Sequence, residues 1–370
     1  MPTPQPINVA VVIPGIMGSC LEYRKSGSAE PIWPESFLDN YKRLANKPAV
    51  FKYNEKDPAM APRLMKFFSL FTLPKVGWHV WRTSLFGGLL NYLKSHRDFS
   101  HQQGVVEFPY DWRAKIETTA RELRNSLNSS YGVQIHRSRQ PVQLSIITHS
   151  MGGLVARVAL VDGHIDPSNI RRIVHIAPPL MGSANAFRSL FGGGALPFLN
   201  EFVAFCHGQK NGRLALNNLR EVMASFPSMY QLMPPRSNKF LDIGQGRRVS
   251  PLDGRETIIH KHYRKVGSDL HHRIRSSIQK VKTSHISTYT IYGANAELTT
   301  DERYKVFRNT DKYDMLEPVP YVDDIGDGTV TSRSCRYANM DASDFREVVG
   351  EKHAYMCDSQ NVISVLATIM

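Results

Sequence analysis

The chain has 370 residues, 42% of them hydrophobic, with a net charge of +13. That length and apolar content supply a sizeable core, exclude a disordered chain, and fit one large α/β domain with a cap, or two domains. The positive charge favours an anionic partner such as a lipid surface, a nucleic acid or an acidic protein, without choosing among them.

Met1 to Asn8 lacks the charged-then-apolar order of a signal peptide, and no apolar run approaches the ~20 residues of a membrane span. The four cysteines, Cys20, Cys206, Cys335 and Cys357, show neither metal spacing nor a disulfide framework, although a Cys335–Cys357 pair stays open. These features predict a soluble, cytoplasmic chain with peripheral membrane association as an option. No cofactor and no metal are expected.

Asn8 to Ile13 reads as a buried strand, followed at once by Pro14-Gly15-Ile16-Met17-Gly18-Ser19. Such a loop is either a tight turn or the seat of an oxyanion donor. Residues 20–82 show no regular period and are rich in proline and aromatics, among them Trp33, Phe37, Phe67, Phe68, Phe71, Trp78 and Trp81. A loop this long reads as a lid or binding segment, or as cover for the core edge. Phe86 to Lys94 predicts a helix, and Gly104 to Phe108 a strand. Pro109-Tyr110-Asp111-Trp112-Arg113 follows, in which Asp111 and Arg113 read as a structural pair before substrate contacts. Ala114 to Leu127 is an amphipathic helix.

The chain is organised around Leu144 to Arg157, between a strand read from Val142 and a helix read to Val161. A strand run ends at Thr148-His149-Ser150-Met151-Gly152, and a helical run begins directly after it. This is a near match to the G-x-S-x-G nucleophile elbow, with Thr148 in place of the first glycine. Serine there projects at a helix N-terminus, where developing negative charge is favoured. Arg171 to Ile176 is the next strand. Strands alternating with helices argue for a parallel sheet. The rhythm is lost from Asn185 to about Ser284, a region read as an inserted cap. It contains a basic stretch with Lys261, Arg264, Lys265, Arg273, Arg275, Lys280 and Lys282, read as a solvated face. His260, His262, His271 and His272 lie there without the Cys or carboxylate pattern of a metal site. Ile286 to Tyr292 and Phe345 to Val349 are strands, and Gln360 to Ile369 closes the chain as a helix.

A serine elbow needs a histidine and a carboxylate, in the chain order Ser, Asp/Glu, His. Asp327, between Gly326 and Gly328, is the positional choice for the acid; Asp323 and Asp324 are rivals. His353 is the histidine that follows.

Taken together, Pro14–Ser19, Pro109–Arg113, His149–Gly153, Pro178–Ala184, Gly326–Val330 and His353 stand in an order that resembles the lecithin:cholesterol acyltransferase-like proteins. The resemblance runs from residue 8 to about 355. It implies an α/β-hydrolase fold: a mostly parallel central sheet in one domain over 1–370, an N-terminal lid over 20–82 and a cap over 185–284. It implies a serine esterase, lipase, phospholipase or acyltransferase acting on lipid acyl esters. In that reading Ser150 is the nucleophile, Asp327 the acid and His353 the base. The N–H groups of Met17 and Met151 form the oxyanion hole, and Trp33, Ile16 and Leu180 bind substrate. The partners expected are the lipid or acyl-ester substrate and an anionic membrane surface; no nucleic acid is expected, because no recognition module is present. The alternative is a catalytically silent lipid- or protein-binding relative on the same fold.

Overall fold

The computed structural model describes residues 6–25, 28–73, 78–102, 104–129, 141–191, 205–253, 259–299, 304–309, 312–318, 325–337 and 345–370. Six short strands form the central sheet: β1 (Ile7–Ile13), β2 (Val105–Glu107), β3 (Val142–His149), β4 (Ile170–Ile176), β5 (Ser287–Gly293) and β6 (Phe345–Val348). Their order is β6-β5-β4-β3-β1-β2, and every neighbouring pair is parallel. A parallel sheet is covered on both faces, so its strands are continuous apolar runs and do not alternate. Val9 to Ile13 accordingly are all buried. This is the parallel sheet of an α/β-hydrolase.

The flanking helices are α1 (Gly87–Ser95), α2 (Ile116–Leu127), α3 (Met151–Val161), α4 (Lys261–Thr283) and α5 (Gln360–Ile369). α3 packs against both α2 and α4, while α1 packs with α5. α3 is buried from Met151 to Leu160. A helix apolar all round belongs inside a layer, not on its surface.

Two regions differ from expectation. Residues 20–82 hold regular structure: a hairpin of Leu21–Lys25 with Ser28–Trp33, a helix Phe37–Asn46, and a hairpin of Phe67–Leu73 with Trp78–Ser84. The helix buries Phe37, Asn40 and Leu44 and is capped by Ser36. That short stripe is hemmed in by Pro34 and Pro48, which hides its period. Phe71, Trp78 and Trp81 lie outside the described side chains.

The second difference is the end of the 185–284 region. The basic stretch is one helix, α4, on the crossover that leads into β5. Gly267, Leu270, Ile274, Ser277 and Val281 form its buried stripe. The rest of the region contains helices Ala184–Phe191, Gly212–Met223 and Pro227–Gln231. Helix Gly212–Met223 packs on helix Phe37–Asn46, where Asn218 Nδ2 donates to Leu44 O at 2.7 Å. Tyr53 N donates to Ser225 Oγ at 3.0 Å. The two irregular segments of the sequence therefore meet.

All four cysteines are buried free thiols, so Cys335 and Cys357 are not joined. Among the described residues no helix is long and apolar enough to cross a membrane, and no cluster of three metal-ligating side chains occurs.

Candidate active site

β3 ends at His149 and α3 begins at Met151, which leaves Ser150 alone on the turn. Its backbone has φ 52° and ψ −125°, a left-handed conformation that a side chain seldom adopts and that neighbours must enforce. Ser150 N donates to Ile176 O, and Gly153 N donates to Ser150 O, each at 2.9 Å. Small residues make the turn possible. A Cβ on Gly152 would sit 2.4 Å from Ile13 O and 2.6 Å from Pro14 O. One on Gly15 would sit 2.7 Å from Ser150 Cβ.

Thr148 explains how this elbow dispenses with its first glycine. Its Oγ1 lies 2.7 Å from His175 Nδ1, and Arg157 Nε donates to His175 Nε2 at 3.0 Å. Nε2 is the acceptor, so Nδ1 carries the proton and donates to Thr148. Burial, then the Arg157 charge, pushes the His175 pKa well below its ordinary value. A neutral histidine thus braces the threonine beneath the elbow.

Asp327 lies against the end of β5, where Gly293 makes room: a Cβ there would be 2.7 Å from Asp327 Cβ. Its Oδ1 accepts from Thr329 N at 3.0 Å and Val330 N at 2.8 Å. Its Oδ2 lies 2.7 Å from His353 Nδ1, and His353 Nε2 lies 2.9 Å from Ser150 Oγ. His353 N also donates to Asp327 O at 3.0 Å. All three side chains are buried. With Nδ1–H turned to the carboxylate, Nε2 is the acceptor facing the serine hydroxyl. Asp323 and Asp324 lie outside the described residues.

His149, passed over in the sequence, is the next part of this arrangement. Its Nε2 lies 2.9 Å from His353 O, and the two rings are 5.0 Å apart. A carbonyl only accepts, so Nε2 carries the hydrogen. Burial, with the neighbouring His353 second, pushes the His149 pKa down to about 3. It is a neutral donor holding the backbone of His353. A residue 204 positions away in the chain left no local signal for this contact.

Met17 has φ 57°, and Met151 is the first residue of α3. The backbone N–H of neither donates to another described residue. The Pro14–Ser19 loop is clamped by the second motif: Tyr110 Oη donates to Pro14 O at 2.7 Å, and Trp112 Nε1 to Ser19 O at 3.0 Å. Asp111 and Arg113 form a buried ion pair at 2.7 Å, and Arg113 Nη1 donates to Phe51 O at 2.9 Å. They tie the loop to the 51–59 segment and do not line the cleft.

Ser150, His149 and His353 border a cleft of about 640 Å³. Its lining is largely hydrocarbon, from Ile16, Phe68, Leu85, Phe86, Leu232 and Val330. Ile16 therefore lies in the cleft. Trp33 does not: it is 1% exposed, with ring centroids of Phe51, Phe68 and Trp112 at 6.0, 6.3 and 5.6 Å. It backs Phe68, which lines the cleft instead. Leu180 is likewise buried outside the cleft, and its neighbours Pro179 and Ser183 line it.

Residues 95–245 match the family model of lecithin:cholesterol acyltransferase. The resemblance expected from the ordered motifs is to this family. The matched span includes the Pro109–Arg113 motif, the elbow and the Pro178–Ala184 loop; Asp327 and His353 lie beyond it. An uncharacterized protein of Saccharomyces cerevisiae, YJR098C, is 35% identical over 83 residues, which is 22% of this chain and 11% of that protein. The chain thus matches about a tenth of the length of this curated relative. Among solved structures, the Tle4–Tli4 complex contains a chain similar over 97% of both, at 15% identity and TM-score 0.59. The mature Bacillus licheniformis lipase BlEst2 is 11% identical, covering 100% of this chain and 93% of its own, with TM-score 0.38. The likeness to the first extends the fold assignment over nearly the whole chain.

Proposed function

We propose that this chain cleaves acyl esters of lipids through an acyl-enzyme on Ser150 and passes the acyl group to water or to an alcohol. The observation that carries the reading is the unbroken series Asp327–His353–Ser150 beside an apolar cleft. The match to the lecithin:cholesterol acyltransferase family supports the lipid substrate.

In this reading His353 Nε2 takes the Ser150 proton as Oγ attacks the ester carbonyl. Asp327, its other oxygen held by two amides, keeps Nδ1 protonated and steadies the imidazolium. The oxyanion forms against the N–H groups of Met17 and Met151, at the positive end of α3. The alcohol leaves with the proton from His353. Water or a second alcohol then retraces the path. The acyl chain lies along Ile16, Phe68, Leu85 and Leu232, each buried methylene contributing about 0.8 kcal/mol. We assign the packed segments 37–69, 184–191 and 205–253 as the cover of this cleft, within one hydrolase domain. An anionic lipid surface is the partner through which substrate arrives.

The test is labelling by a fluorophosphonate together with release of acyl product from a lipid panel, with and without added alcohol. Ser150→Ala is expected to abolish both labelling and turnover while the melting temperature is kept. Labelling of that variant at the wild-type rate would remove Ser150 from the mechanism.

A further inference from the structure

The Pro178–Ala184 loop follows β4 and lies against the turn that carries Asp327. Side-chain hydrogen bonds join the two. Met181 N donates to Ser334 Oγ at 3.1 Å, and Ser334 Oγ donates to Gly182 O at 2.7 Å. The shortest of them runs from Ser183 Oγ to Thr329 O, at 2.6 Å.

Thr329 O belongs to the same peptide group as Val330 N, and Val330 N donates to Asp327 Oδ1 at 2.8 Å. The Ser183 hydroxyl and the Asp327 carboxylate therefore grip one peptide group at its two ends. Asn185 Nδ2 is a second donor to Thr329 O, at 3.3 Å. A donor on the carbonyl polarises the peptide and makes its N–H a stronger donor, by roughly 10–30% per bond in such a series. The series runs from Ser183 Oγ through the 329–330 peptide to Asp327, His353 and Ser150. Asp327 is buried, so these amides take the place of water at Oδ1.

Ser183 is itself held. Its N–H donates to Leu232 O at 2.7 Å, and its Oγ accepts from Asn185 N at 3.3 Å, where helix Ala184–Phe191 begins. It lines the cleft, the place of a residue that touches substrate. Its single hydroxyl hydrogen is already committed, however, because a carbonyl can only accept. What it offers the reaction is directed at the far side of the wall.

We propose that Ser183 is a positioning residue for the acid: through the 329–330 peptide it fixes and stabilises the Asp327 carboxylate that orients His353. The inference rests on Asp327 acting as the acid partner of His353.

The experiment compares wild type, Ser183→Ala, Asp327→Asn and the double variant. It reads kcat and KM on a soluble nitrophenyl butyrate and the second-order rate of fluorophosphonate labelling. Ser183→Ala is expected to lower kcat and the labelling rate about five- to tenfold, the worth of one hydrogen bond, with KM within about twofold. In the Asp327→Asn background the same change is expected to cost less than about twofold, since the two residues act as one unit. Ser183→Thr, which keeps the hydroxyl, is expected to label nearly as fast as wild type. Ser183→Cys keeps the size but donates weakly; it is expected to lose as much as alanine, and it replaces alanine should that variant fail to fold.

A wild-type kcat in Ser183→Ala overturns the proposal. So does a raised KM at unchanged kcat, which would make Ser183 a substrate contact, or a threonine variant no faster than alanine. A loss of equal size with and without Asp327→Asn, where Asp327→Asn alone is crippled, overturns this inference and leaves the triad standing. Full turnover in Asp327→Asn strikes the triad reading first and this inference with it.

Discussion

His149→Phe is the substitution that separates a packed ring from a working hydrogen bond. Phenylalanine keeps an aromatic ring between Phe86 and His353, whose centroids lie 5.8 and 5.0 Å away. It removes the Nε2–H that donates to His353 O at 2.9 Å. The lost bond costs about 0.5–1.5 kcal/mol, and a buried carbonyl left unsatisfied costs about 1–3 kcal/mol. The catalytic loss is expected to be larger than the stability loss suggests. His353 spans only 2.7 Å to Asp327 and 2.9 Å to Ser150, so its ring has no slack at either end. Misplacement of a reacting group by an ångström costs on the order of 10²-fold. We expect kcat on a soluble nitrophenyl ester to fall about 10- to 100-fold, with KM moving less than about twofold. His149→Gln, whose amide offers an N–H, is expected to recover part of the loss. A His149→Phe enzyme with wild-type kcat would refute the reasoning. So would a glutamine variant no better than phenylalanine when both melt like the wild type.

Asp327→Asn is expected to cost about 10⁴ in turnover, because the amide favours the wrong imidazole tautomer; the check is a single-turnover assay with fluorophosphonate labelling alongside. Gly152→Ala is expected to destabilise the fold, since its Cβ would meet two backbone oxygens of the β1 end at 2.4 and 2.6 Å; wild-type thermal stability would contradict this. Stability is also expected to fall as pH drops from about 6.5 to 5. His149 and His175 are held below their ordinary value of 6.5, so in that window the unfolded chain binds protons that the fold refuses. Each contributes a slope of up to about 1.4 kcal/mol per pH unit, read from urea midpoints; His149→Gln is expected to flatten it, and a pH-independent midpoint between 6.5 and 5 would contradict the burial argument.

The parts legible in the sequence were those written locally. The strand, serine and helix of the elbow are contiguous, so their periods and the turn between them can be read directly. Gly326-Asp327-Gly328 and His353 were placed by order and by family resemblance, and the structure brings both side chains to Ser150. What stayed hidden was long-range. His149 and His353, or Thr148 and His175, meet only after β3 and β4 pair and the last loop closes over them. Trp33, placed by family resemblance as an aromatic of the N-terminal lid, was hidden for a related reason. Its burial depends on Phe51, Phe68 and Trp112, none of which is near it in sequence. The α4 helix had its apolar stripe in view at Leu270, Ile274 and Val281, but lysines and arginines outnumbered it.

That helix also changes how the net positive charge is to be understood. α4 has 23 residues and is about 35 Å long at 1.5 Å per residue. Its first three turns pack on the segment that carries the cleft residue Leu232: Tyr263 stacks on Tyr230 with centroids 4.1 Å apart, and His271 Nε2 lies 2.6 Å from Met233 O. Its later turns do not. Arg273 pairs with Asp162, the residue that ends α3, whose other end begins at Ser150. Eleven helical residues separate the two, a drop of about 16 Å from the nucleophile. Lys280 and Lys282 lie further along, next to the start of β5 and so at the end of the sheet away from Asp327. Within the stretch Lys265 pairs with Asp269, and Arg273 is committed to Asp162. The basic stretch is therefore spread along one long helix and is not a compact patch. Its first three turns pack on the segment that carries Leu232, and the rest runs on toward the start of β5, where Lys280 and Lys282 stand more than a Debye length from Lys261.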